Sequence, residues 1–142
     1  CRNIGWYDFK DDGRDPFYFE DNFGVLRNDF SPKPAFCALT SVCRSLAGGA
    51  VTAREDFGPG ILAVTRGNTL AVWSDGADRT VRCKVNSGTP SAINLMGDPV
   101  DLAIADGVLT LTLHAGAPLF LFDADLTELD PAREAPVEVV RF

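Results

Sequence analysis

"GVLTLTLHAG", residues 107–116, decides the fold class. Val108, Thr110 and Thr112 alternate with Leu109, Leu111 and Leu113, so a strand here has one face to bury and one face for water. The same period of two extends outward through "VTAREDF", "GILAVTR", "TLAVWS", "RTVRCKV", "SAINLM", "VDLAIAD" and "APLFLF". Turn chemistry separates these runs: Gly58-Pro59-Gly60, Arg66-Gly67-Asn68, Asp75-Gly76, Gly97-Asp98-Pro99 and Asp106-Gly107. About eight short strands with no helix between them predict a mainly β unit, an antiparallel β-sandwich or small barrel, over residues 49–125. The tail, 126–142, carries Pro131, Pro136 and several acids, and its "VEVVRF" is an optional edge strand.

Residues 1–48 are of another kind. "NIGWYDF" is apolar and aromatic without alternation, the pattern of a strand covered on both faces. The stretch from Lys10 to Lys33 is longer than ordinary connections, and loops of that length are usually functional or packed on something. "SPKPAFCALTSVCRSLAGG" then reads as a helix, with Ser31 or a neighbour as cap, Pro34 in the first turn, and Gly48 and Gly49 as the stop. Phe36, Leu39, Cys43 and Leu46 fall on one apolar stripe. A lone strand and an amphipathic helix cannot bury these surfaces on each other. Strand, long loop and helix make one βα unit, and a parallel sheet or barrel lying upstream would cover it best.

The chain has 142 residues, 46% apolar and 23% charged, with a net charge of −7. That balance suits one globular domain and disfavours nucleic acid or an anionic membrane as partner. No apolar run reaches the roughly 18 residues of a membrane span. The first residues lack the layout of a signal peptide, and the chain begins at Cys1, which leads to the expectation of a piece of a longer or processed protein.

Cys1, Cys37, Cys43 and Cys83 form no C-x-x-C pair and read as free thiols; Cys37 and Cys43 lie on different faces of the helix. His114 is the sole histidine and reads as structural or solvated. Asp8, Asp11, Asp12, Asp15, Glu20, Asp21 and Asp29 invite a calcium loop, but alignment on Gly13 puts Lys10 and Phe19 where ligands belong. They read instead as solvated carboxylates and turn caps, and no metal is expected. No two of them stand out as a glycosidase pair. Trp73, within "TLAVWS", reads as sandwich core.

"WYDFKDDG", "EDNFGVLRNDFSPKPAF" and the helix that follows resemble the end of the catalytic barrel in retaining (β/α)8 glycoside hydrolases. The clan is that of the cellulase-like, β-xylosidase and α-iduronidase families. The landmarks are Trp6, Asp12-Gly13, Asp15, Asn22-Phe23-Gly24, Asp29 and Pro32-Lys33-Pro34-Ala35, in that order. "NLMGDPVDLAIADGVLTLTLHAGAPLFLF" is similar to the last strands of the sandwich that accompanies such barrels. The resemblance implies that residues 1–48 are the last strand, loop and helix of a TIM barrel and that a stabilising sandwich follows. It implies that Trp6 walls the sugar subsite at the cleavage point, with Asp8 and Asp12 as further substrate contacts. Both catalytic carboxylates would lie upstream, at the ends of the fourth and seventh strands. No catalytic residue is therefore expected here, Glu20 and Glu55 included, and the chain alone is expected to be inactive. The implied partners are a carbohydrate substrate and the upstream barrel, with no cofactor, in an extracellular or periplasmic setting. The alternative is a non-catalytic carbohydrate-binding or interaction sandwich.

Overall fold

The computed structural model describes residues 5–55 and 57–129. One α-helix, α1 (Pro34–Leu46), precedes seven strands: β1 (Thr52–Arg54), β2 (Ile61–Arg66), β3 (Thr69–Ser74), β4 (Arg79–Ile93), β5 (Ala103–Ala105), β6 (Val108–Leu113) and β7 (Leu119–Glu128). They form a single antiparallel sheet in the order β1-β2-β3-β7-β4-β6-β5.

The two long strands turn this sheet into a sandwich-like fold. β4 pairs with β6 through Arg79–Lys84 and with β7 from Cys83 to Ile93. β7 spends Leu119–Phe122 on β3 and continues to Glu128 along β4. At one end the sheet meets itself: Ser74 bridges Ala115, with Ser74 N–H donating to the His114 carbonyl at 3.3 Å and Gly116 N–H to that of Ser74 at 3.0 Å. The enclosed core contains Leu70, Val72, Val81, Cys83, Leu109, Leu111, Leu113, Leu121 and Leu126. Thr110 and Thr112 stay exposed, so the alternation in 108–113 reports the two faces correctly.

Among the described residues the count is seven strands because "RTVRCKV" and "SAINLM" are one. Asn86–Pro90 looks like a turn by composition, yet it forms irregularities inside β4, with register shifts between Val85 and Ser87 and between Gly88 and Ser91. Gly88 takes φ 86°, and Asp123 on the facing strand takes φ 56°. Bulges absorb glycine and proline where the partner strand continues alongside. For the same reason β7 runs past residue 125 into what composition assigned to the tail. The stretch "VEVVRF" lies outside the described residues.

Trp73 is also placed differently from the expectation. Strand alternation puts Leu70 and Val72 inside, so Trp73 falls on the opposite face, half-buried and opposite Leu62. That second face has its own centre. Phe120 is fully buried there between Ala71 and Ile93, its cross-strand neighbours. Ile93, Met96 and Gly97 line a cleft with Phe36, Cys37, Thr40, Ser41 and Arg44, which is where α1 sits against the sheet. Gly97 at φ 91° has room for no more than a light contact with Ser41 Oγ, which a Cβ would approach to 3.1 Å.

The helix sits with the unexpected side inward. Ser41 and Ser45 are its buried residues, whereas Leu39 and Cys43 are exposed and Phe36 and Leu46 only half-covered. Leu39 and Cys43, the middle of the apolar stripe, thus face outward. Lys33 is the cap position and makes no side-chain capping bond, since an ammonium has no acceptor to offer the helix amides; it pairs with Asp11 instead.

The expected strand from Asn3 to Phe9 is not found among the described residues, of which Gly5–Phe9 carries no strand. Instead Asp8 and Phe9 lie beside Phe23–Leu26: Asp8 N–H donates to the Phe23 carbonyl, Val25 N–H to that of Asp8 and Leu26 N–H to that of Phe9. A strand needs neighbours for its amides; here one side is met by a loop of the same chain. Nor is the stretch buried on both faces, since Trp6 is 59% exposed, with Tyr7 and Phe9 also open.

One electrostatic contact ties the sandwich end together. His114 Nδ1 lies 2.8 Å from Asp78 Oδ2, and Ala115 N–H donates to Asp78 Oδ1 at 3.0 Å. The Ala115 amide, followed by His114, holds the Asp78 carboxyl below its ordinary value. A carboxyl depressed in the fold stabilises above its unfolded value and loses that contribution as pH falls through its folded one. The melting temperature of Asp78→Asn is therefore expected to lie slightly below wild type at pH 6, the gap closing in acid below the carboxylate range. A gap that persists at pH 2 would contradict this assignment.

Candidate functional site

The segment from Gly5 to Lys33 is organised around one carboxylate. Asp11 is buried, its Oδ1 accepting from Lys33 Nζ at 2.6 Å and from Gly24 N–H at 2.9 Å. Its N–H donates to the Leu26 carbonyl at 2.9 Å, and its own carbonyl accepts from Asn28 Nδ2. Lys33 Nζ also donates to the Asn22 carbonyl at 2.9 Å. A single ion pair thus joins both ends of the loop to the base of α1. Gly24 is the residue that permits it: a Cβ there would lie 2.2 Å from Asp11 N and 2.3 Å from the Lys10 carbonyl carbon.

The outer half of the loop is fastened by side chains to main chain. Asp21 Oδ2 accepts from Asp15 N–H, Asp15 Oδ1 from Phe17 N–H, and Asn22 Nδ2 donates to the carbonyls of Asp15 and Tyr18. Asp29 Oδ1 accepts from Ser31 N–H, and Ser31 holds the Asp29 carboxyl below its usual range. Asp15, Asp21 and Asp29 thus act as turn caps. Among the described residues no group of three or more His, Cys, Asp or Glu is arranged to hold a metal ion.

Fastened in this way, the segment displays its aromatic residues. Tyr7, Phe23, Phe19 and Tyr18 form a chain of ring contacts, with centroids 6.1, 5.4 and 5.9 Å apart. Trp6 lies beside Tyr7 in sequence, and Phe17 is 95% exposed at the tip. Asp12 Oδ2 accepts from the Tyr7 hydroxyl at 3.4 Å, and Glu20 from that of Tyr18 at 2.8 Å. Asp12, followed by Asp8, pushes the Tyr7 phenol up, and the bond to Glu20 does the same for Tyr18. Both hydroxyls stay protonated through neutral pH. On the other side of the loop a cleft of about 470 Å³ is lined by Asp11, Arg14, Asn22, Arg27, Asn28 and Lys33 among others.

Of the residues singled out from sequence, Asp12 accepts from the Tyr7 hydroxyl, whereas Asp8 Oδ1 accepts from the Phe9 amide. Trp6 is on the open surface. Asp11 and Lys33 escaped the sequence reading as a pair. They are 22 residues apart, and one buried aspartate among seven acids has no local signature. Tyr7 was hidden beside the tryptophan.

Comparison with solved structures gives this arrangement a context. Over 83% of its length the chain is similar to a family 39 glycoside hydrolase from the gut symbiont Bacteroides cellulosilyticus WH2, with 31% identity and a TM-score of 0.64. It covers 25% of that chain. A family 30 subfamily 8 xylanase from Clostridium acetobutylicum also matches, over 75% of this chain and 32% of that one, but at 11% identity and a TM-score of 0.49 it is too distant to bear on function. No family model and no curated protein matches. The chain is thus similar to part of a glycoside hydrolase, and it spans about a quarter of the family 39 enzyme's length.

Proposed function

We propose that the chain is the carboxy-terminal portion of an enzyme that hydrolyses O-glycosidic bonds, and that it contributes the last barrel unit, a substrate-facing wall and a stabilising sandwich. The observation that carries this reading is the inverted exposure of residues 5–46. The helix hides Ser41 and Ser45 while Leu39 and Cys43 face out, and the aromatic residues before it are open. Apolar surface on this scale usually belongs to an interface. A barrel of about 250 residues, most of it upstream, would cover the helix stripe and leave the loop at the carboxyl ends of its strands.

In that setting Trp6 lies under the sugar at the cleavage point. Its indole face takes the C–H side of a pyranose, and its N–H remains free to donate. Asp8 and Asp12 accept from sugar hydroxyls, and the Asp11–Lys33 pair sets the height of the loop over the substrate. The acid/base and nucleophile carboxylates belong to the upstream strands, about 5–5.5 Å apart as retention requires. The 142-residue chain alone is then inactive. An extracellular or periplasmic location fits such a substrate. Among the described residues no helix is long and apolar enough to cross a membrane.

The reading is tested by the upstream reading frame and by the complete protein's action on aryl glycosides. Alternating strands and helices with two glutamates at strand ends are expected there. An unrelated linker, with binding but no hydrolysis, would favour the non-catalytic sandwich instead. Leu39→Glu supplies a physical test. In the 142-residue chain, with Leu39 already exposed, stability should stay within about 0.5 kcal/mol. In the complete protein the same change should cost about 2 kcal/mol or more, the transfer value of a buried leucine plus a buried charge. Equal melting shifts in the two contexts would contradict the barrel contact.

A further inference from the structure

The resting position of the aromatic chain at the loop tip points beyond a single sugar subsite. We infer that Tyr7, Phe23, Phe19, Tyr18 and Phe17 form an extended binding platform for a soluble, neutral glycan chain, an inference that rests on the glycoside hydrolase reading.

Three features of the surface carry it. The rings are exposed; Phe17, Tyr18 and Phe19 stand on a turn closed by Asp15, Asp21 and Asn22 through main-chain bonds, and Phe23 and Tyr7 join Phe19 through ring contacts. Rigid aromatic residues offer a large contact area at little cost in conformational freedom. The rim is also composed for a polyol. Each tyrosine hydroxyl is bonded to a carboxylate, Tyr7 to Asp12 and Tyr18 to Glu20, so aromatic faces alternate with acceptors for hydroxyl donors. That fringe of acids repels nucleic acid, anionic lipid and acidic glycans, and leaves a neutral sugar chain as the matching partner. The rings finally stand at interplanar angles of 66°, 70° and 51° along the chain, so successive faces turn. A turned platform suits a single chain that twists in solution. The flat face of an insoluble crystalline polymer would meet only one ring at a time.

The test uses the complete protein with xylohexaose and cellohexaose, with xylose and glucose as single-sugar probes and microcrystalline cellulose as the flat surface. The expected result is at least a tenfold tighter Kd for one hexaose than for its monosaccharide, with no retention on the crystalline polymer. The Phe17→Ala/Tyr18→Ala double variant should lose that gain while its affinity for the monosaccharide and its melting temperature stay unchanged. Both side chains lie on the surface, so the variant is expected to fold. The inference is overturned if the double variant keeps the hexaose affinity, if no gain with chain length exists, or if the variant melts lower. The last outcome means the rings pack on another part of the protein. Hydrolysis of a short aryl glycoside is followed in parallel. Its absence in the wild type sinks the enzymatic reading while leaving the platform measurable. Its persistence with an unchanged hexaose Kd in the variant sinks the platform alone.

Discussion

Gly24→Ala is expected to open the loop between Asp8 and Lys33 while the sandwich stays folded. The added methyl would sit 2.2 Å from Asp11 N and 2.3 Å from the Lys10 carbonyl carbon, both main-chain atoms that cannot rotate away. Overpacking against mobile side chains costs about 1–3 kcal/mol, and a rigid neighbour puts this site at the upper end. Relief requires separating Gly24 from Asp11, which breaks the Gly24 N–H bond to the buried carboxylate and weakens its pair with Lys33. Amide exchange at Asp11, Gly24 and Leu26 should accelerate about 100-fold, equivalent to roughly 2.7 kcal/mol of local opening. Amides of β6 should be unaffected. Gly13→Ala is the control. Its clash is with the Asp21 carboxylate, which can turn aside at the loss of one hydrogen bond, about 1 kcal/mol. Similar exchange in the two variants would show that the close approach at Gly24 does not govern the loop.

Phe120→Ala should produce the largest loss of global stability, about 3–5 kcal/mol, as for other fully buried phenylalanines. Phe120 lies between Ala71 on β3 and Ile93 on β4. Ile93 also borders the cleft that holds α1, so the cavity would loosen the junction of sheet and helix. A fall in melting temperature of roughly 10–20 °C is expected at a few degrees per kcal/mol. Leu62→Ala, at a half-exposed position on the periphery of the same face, should change stability by about 0.5 kcal/mol or less. Comparable losses at the two positions would argue against a second packed face centred on Phe120.

The β unit was legible because its signals are local. Val108–Leu113 alternates, its turns are spelled by Asp-Gly and Arg-Gly-Asn, and the leucines of β6 all enter the core. The errors arose where local chemistry competed with a neighbouring strand. Asn86–Pro90 has the composition of a turn, and only the presence of β7 beside it keeps the ladder going. Trp73, within "TLAVWS", reads as sandwich core, whereas its parity relative to Leu70 and Val72 puts it on the other face.

The candidate site divides along the same line. Trp6, Asp8 and Asp12 could be named from sequence because a resemblance pointed to their neighbourhood, and the structure adds that Asp12 is bonded to the Tyr7 hydroxyl. By itself the sequence determined the period of the strands, the extent of α1 and the excess of aromatic and acidic residues before it, since each depends on residues a few positions apart. Tertiary structure alone decided that Asp11 would be the carboxylate taken out of water by Lys33, and that α1 would turn its serines inward and its leucine outward. The physical reason is that burial is a property of surfaces brought together over long separations. A hydrophobic stripe states that something must cover it and does not say which body will.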